Sequence, residues 1–180
     1  MTDPLRQADP VALAQTLPPG SGLIYRHFGD PHRERLANLA RAVTDRRGLM
    51  FLIAADPDLA RICGADGVHW PERDLHLAAR ARARGDHRPF TAAAHSPMAL
   101  RRANAAGVDA ALVSTVFPSA SPSAGRPIGP ISLSRWIAET DLPVYALGGV
   151  NARTIKRLVG LGVSGVAVIG AIKSAGQTRT

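Results

Sequence analysis

Gly64-Ala65-Asp66-Gly67-Val68 is a phrase that this chain uses three times. It returns as Gly107-Val108-Asp109-Ala110-Ala111 and as Gly162-Val163-Ser164-Gly165-Val166. Each copy follows a helix-like stretch and precedes a short apolar run. The leading glycine suits the left-handed residue that ends a helix. The run after it suits a strand buried on both faces, as in parallel sheets. The phrase therefore reads as a helix-to-strand junction.

Working outward, the same alternation fills the chain. Strands are expected at 22–26, 49–54, 67–70, 90–93, 110–113, 144–147 and 166–169. Helices are expected at 10–17, 31–46, 57–63, 74–84, 97–106, 132–139, 152–161, and as a short one opening at Gly170. Several open on a capping residue or an early proline: Asp30-Pro31, Asp56-Pro57, Ser96-Pro97 and Asn151. So many β/α units in one chain predict an α/β fold, a (β/α)8 barrel of the TIM type forming a single domain over 1–180. The chain opens on a helix, so the first strand is missing or truncated, and Met1-Thr2-Asp3 reads as its tail. The two strands flanking the gap would then present open edges, which predicts a homo-oligomer or a poorly stable monomer.

The 180 residues carry 22 Lys and Arg against 14 Asp and Glu, a net charge of +8. Such a balance favours anionic or phosphorylated ligands in general. The Arg residues at 80, 82, 84 and 88 sit on helix faces, and only 4% of residues are aromatic. No stacking platform for bases is present, so a nucleic-acid partner is not expected. One cysteine, Cys63, excludes an internal disulfide framework. No apolar run reaches membrane-spanning length, and the N-terminus lacks the pattern of a signal peptide, so a soluble cytoplasmic protein is expected.

The long connection 114–130 is rich in Ser, Pro and Gly and follows the C-terminal end of a strand, where barrel sites lie. Gly148-Gly149-Val150-Asn151 and Ile169-Gly170 follow the last two strands. Glycine turns at these two positions suit phosphate binding by backbone N–H groups. Simple tight turns are the alternative reading.

Taken in order, Gly64-Ala65-Asp66-Gly67-Val68-His69, Glu72-Arg73-Asp74-Leu75, Val116-Phe117-Pro118-Ser119, Ala146-Leu147-Gly148-Gly149-Val150 and Gly165-Val166-Ala167-Val168 make the chain resemble the thiamine phosphate synthase / thiazole tautomerase family. That resemblance implies a (β/α)8 barrel whose first strand ends in Thr-Asp, matching Thr2-Asp3. It implies a transferase joining a hydroxymethylpyrimidine diphosphate to a thiazole phosphate with release of pyrophosphate, assisted by Mg²⁺. Residue by residue, Arg26 matches the pyrophosphate-binding Arg, and Phe28 stands where a Lys would follow. The Asn-Asp pair that supplies a metal carboxylate falls on Ala54 and Ala55, with Asp56 next as substitute ligand or helix cap. Asp74 matches the second metal Asp. The Ser after the family's fifth strand becomes Ala93. Ser119 and Ser121 match a Thr pair on the thiazole phosphate. The Lys after that pair falls on Pro122, leaving Arg126 to reach the phosphate. Gly148, Gly149, Ile169 and Gly170 match the phosphate cradle. The expected catalytic set is Arg26 and Asp74, which the resemblance implies, with His95, read from its place at the C-terminal end of a strand. The tautomerase branch needs a general acid/base instead, for which His69 and His95 are candidates. A catalytically degenerate phosphate binder is the third reading. His27 reads as a possible pocket residue, Trp70 and Phe28 as packing.

Overall fold

The computed structural model describes residues 1–6, 9–122 and 124–170. Its seven strands are β1 (Gly22–Tyr25), β2 (Met50–Ala54), β3 (Gly67–Trp70), β4 (Phe90–Ala94), β5 (Ala110–Val113), β6 (Val144–Leu147) and β7 (Gly165–Ala167), in chain order across the sheet. The helices are α1 (Pro10–Thr16), α2 (Arg33–Arg46), α3 (Pro57–Ile62), α4 (Leu75–Ala83), α5 (Pro97–Ala105) and α6 (Gly129–Ile137). The chain divides into two compact units. One holds Met1–Val68 with the described residues Ile169 and Gly170; the other holds His69–Val168.

In the first unit β1 pairs parallel with β2, Gly22 beside Met50 and Tyr25 beside Ile53. In the second, β4, β5, β6 and β7 pair parallel in turn, with Ala94 beside Val113, Val113 beside Ala146, and Leu147 beside Ala167. Every residue of β3 and β5 is buried, as expected of strands covered on both faces. Helix starts repeat one device. Asp9 caps Val11 and Ala12, Asp56 caps Leu59 and Ser96 caps Ala99, each followed by a proline at the first helical position.

The repeated phrase does more than end helices. Gly64, Gly107 and Gly162 all take positive φ, at 62°, 72° and 83°. The Asp two residues later pins the start of the preceding strand. Asp66 N–H donates to the Phe51 carbonyl at 2.9 Å, and its Oδ2 accepts from Phe51 N–H at 2.6 Å and from Arg41 at 3.0 Å. Asp109 repeats this on Phe90, with bonds of 2.7 Å in each direction and Arg82 donating at 2.6 Å. The third copy has Ser164, which keeps only the backbone bond, to Val144 at 2.8 Å. Asp66→Ala and Asp109→Ala each leave a strand-start N–H without its carboxylate acceptor, while Arg41 keeps Asp45 and Arg82 keeps three carbonyls, so each variant is expected to lose about 1–3 kcal/mol. Urea titration checks this; an unchanged midpoint in both variants would remove the pinning role.

Thr2 is buried; its N–H donates to the Ile24 carbonyl at 2.9 Å and its Oγ1 accepts from Arg26 N–H at 2.8 Å. The Thr-Asp segment thus flanks the end of β1, as the reading of a strand tail anticipates. Several elements shift at an end by one or two residues, and three depart further in extent or type. α6 begins three residues earlier, at Gly129. The helix expected from Asp74 is a short 3-10 turn over Glu72–Asp74 followed by α4. The helix expected at 152–161 is a 3-10 turn, Ile155–Leu158. There Asn151 Oδ1 accepts from the N–H groups of Arg153 and Thr154, and Thr154 Oγ1 bonds the Gly149 carbonyl. These local bonds and the following Gly160 and Gly162 compete with an α-helical ladder. The helix expected from Gly170 lies outside the described residues.

Candidate functional site

In the second unit, the ends of β5 and β6 are stitched together by backbone. Val116 N–H donates to the Leu147 carbonyl at 2.9 Å and Phe117 N–H to the Gly148 carbonyl at 3.0 Å. The far end of the 114–130 connection returns to the same root, Ile128 N–H bonding the Thr115 carbonyl and Gly129 N–H the Val116 carbonyl, both at 3.0 Å. This closeness demands glycine. A Cβ on Gly148 would lie 2.8 Å from Thr115 Cγ2, and one on Gly149 would lie 2.4 Å from the Pro118 carbonyl oxygen. Both glycines also hold positive φ. The loop between the two stitched ends carries Ser119, whose Oγ accepts from Ser121 N–H at 3.2 Å, and the exposed Arg126.

His95 follows β4 and is fixed from two directions. Its backbone N–H donates to Glu72 Oε2 at 3.0 Å, and Glu72 is held in turn by Arg102 at 2.6 Å. Its Nδ1 lies 3.0 Å from the Ser114 carbonyl and 3.1 Å from Ser114 Oγ. A carbonyl only accepts, so Nδ1 is the donor in its bond to Ser114. Asp74 stands in the turn after β3 with no capping bond, 3.6 Å from the exposed Arg73.

In the first unit, Arg26 leaves the end of β1 half-buried beside Asp3 and Arg6. Burial pulls its pKa below the ordinary value; the Asp3 carboxylate opposes this and the charge of Arg6 adds to it. His27 next to it is buried, stacks on Tyr25 at 4.9 Å and meets Thr2 Oγ1 at 3.0 Å. That places it in the core. His69, with Nδ1 2.9 Å from Thr91 Oγ1, is also buried, and Trp70 packs edge-on to Phe90 at 5.5 Å.

The thiamine monophosphate synthase family profile matches residues 12–172. The chain belongs to this family. A thiamine-phosphate synthase of Chlorobium luteolum is 32% identical over 142 residues, 78% of this chain and 67% of that protein. A provisionally named thiamine-phosphate synthase of Geobacter sulfurreducens is 36% identical over 138 residues, 76% of this chain. The chain spans 65%, 30% and 40% of the lengths of three of the curated relatives it matches. In three dimensions it superposes on a thiamine phosphate pyrophosphorylase from Pyrococcus furiosus with a TM-score of 0.82 at 24% identity, covering 97% of this chain and 86% of that one. The fold is that of a TIM-type barrel, here with seven described strands.

Magnesium, which the family resemblance implies, meets an altered donor set in this family member. Ala54 and Ala55 offer no carboxylate. Asp56 is engaged at both oxygens, Oδ1 capping Leu59 N–H at 2.9 Å and Oδ2 paired with Arg33. Arg33 also donates to the Ala54 carbonyl at 3.2 Å and lies over the Phe28 ring at 5.3 Å. No group of three or more His, Cys, Asp or Glu gathers among the described residues. These residues do not fit a protein-built magnesium site. No helix among the described residues is long and apolar enough to cross a membrane.

Sequence reading missed Glu72 as the holder of His95, although Glu72 lies inside a quoted motif. It also missed Ser114 as the partner of His95. Neither carries a local signal, because each acts through a residue distant in the chain.

Proposed function

We propose that this chain is a thiamine-phosphate synthase, coupling a hydroxymethylpyrimidine diphosphate to a thiazole phosphate. In the coupling, the bond from the pyrimidine methylene carbon to the diphosphate oxygen breaks, pyrophosphate leaves with the electron pair, and the thiazole nitrogen lone pair forms the new C–N bond. The observation that carries the reading is the retained phosphate end: the glycine pair Gly148-Gly149 seated under the root of the Ser119–Ser121 loop in a chain of this family. Ser119, Ser121, Arg126, Gly148, Gly149, Ile169 and Gly170 are assigned to the thiazole phosphate. Arg26 is assigned to the diphosphate, whose departing charge a guanidinium stabilises. Asp74, uncommitted to any cap, is assigned to the positive charge developing on the pyrimidine methylene, and His95 Nε2 to proton exchange with the bound pyrimidine. The enzyme is read as cytoplasmic and homo-oligomeric.

The test is release of pyrophosphate from the two substrates, with and without Mg²⁺, alongside chromatographic detection of the coupled product. Equimolar pyrophosphate and product are expected. A folded chain that binds thiazole phosphate yet releases no pyrophosphate under either condition would sink the synthase reading and favour a phosphate binder.

A further inference from the structure

We propose that Arg33 is a built-in cation at the end of β2, seated on the oxygens a divalent ion would use there, so that this chain keeps such an ion out of that place. This holds for the chain whether or not it turns over the two substrates.

Arg33 opens α2 and is fixed at both backbone groups. Its N–H donates to the Asp30 carbonyl at 3.1 Å, and its carbonyl accepts from the Tyr25 hydroxyl at 2.9 Å. Tyr25 is the last residue of β1, so the origin of the side chain is tied to a strand end. The guanidinium then reaches the end of β2. Nη1 donates to Asp56 Oδ2, Nη2 donates to the Ala54 carbonyl at 3.2 Å, and Cζ lies 5.3 Å from the centre of the Phe28 ring. Nε is buried without a hydrogen-bond partner among the described residues. A buried donor left unpaired is costly, so the two Nη bonds hold the group in place against that cost.

The backbone beside it keeps the shape of a carboxylate position. Ala55 has φ of +57°, the one positive φ outside glycine among the described residues. Asp and Asn adopt that conformation more readily than Ala does. Ala55 has no oxygen on its side chain, and the two acceptors on either side of it, the Ala54 carbonyl and Asp56 Oδ2, are given to Arg33. Asp56 Oδ1 is spent on the Leu59 N–H at 2.9 Å. A divalent ion seated on these oxygens would sit against a guanidinium. Arginine stays charged at any working pH, and a partly buried repulsion is weakly screened.

The experiment measures Mn²⁺ binding to the full chain, without substrates, from the paramagnetic resonance signal of the free ion. The parent and Asp56→Asn are expected to bind alike. Ala55→Asp alone should gain less than about threefold, because Arg33 still fills the place. Adding Arg33→Met to Ala55→Asp should tighten Mn²⁺ by about tenfold or more, through a second carboxylate and the loss of one adjacent like charge. Arg33→Gln in the same background should do the same and serves if the Met variant folds poorly. Arg61→Met in that background removes one exposed charge from α3 and should change nothing. An affinity that moves less than about twofold on removal of Arg33 overturns the proposal. So does an equal gain from Arg61→Met, which would make the effect one of net charge, and so does a site in the parent that Asp56→Asn abolishes.

Discussion

Gly149→Ala is expected to lower the melting temperature by about 5–15 °C and to loosen the 114–130 connection. Two terms add. The residue sits at φ of +64°, where an L side chain costs about 1–2 kcal/mol. The new methyl would also meet the Pro118 carbonyl oxygen at 2.4 Å and the Phe117 carbonyl oxygen at 2.7 Å. Both neighbours are backbone, so no side chain can swing away. Overpacking of this kind costs about 1–3 kcal/mol. For a domain of this size each kcal/mol moves the midpoint by about 2–4 °C. Thiazole phosphate binding should fall with it, because the displaced backbone roots Ser119 and Ser121. Gly125→Ala is the control in the same loop: it has open space around its Cβ position and should melt as the parent does. Equal melting of the Gly149 and Gly125 variants would show that the close approach is not structural.

Arg26→Ala is expected to cut kcat/KM for the pyrimidine diphosphate by about 10²–10³-fold, the range for losing one preorganised group that meets developing charge. Melting should change little. The backbone N–H of Arg26, which holds Thr2 Oγ1, is untouched, and its side chain makes no hydrogen bond among the described residues. Affinity for thiazole phosphate should be retained, since the residues assigned to it lie on other segments. A variant with unimpaired kcat/KM would remove Arg26 from the diphosphate site.

Much of this architecture was legible from local sequence. Each capping Asp or Ser acts on an N–H two or three residues away, and each junction glycine acts on its own φ, so a window of five residues holds the whole signal. The helix expected at 152–161 failed for a local reason too: Asn151 and Thr154 offer the backbone bonds that compete with an α-helix. The candidate site was less legible. Asp56 carried two readings in the sequence, cap and ligand. The structure engages it as a cap and an ion pair with Arg33, which lies 23 positions away.

The sequence by itself determined the order and type of the elements, the family, and the glycines at the ends of β6 and β7, because those depend on neighbours in the chain. Only the tertiary structure decided that Asp66 and Asp109 pin the preceding strands, that Glu72 and Ser114 fix His95, and that Arg33 claims Asp56. Those pairings join residues about 15 or more positions apart, and they exist only once parallel register has set which strand ends lie side by side.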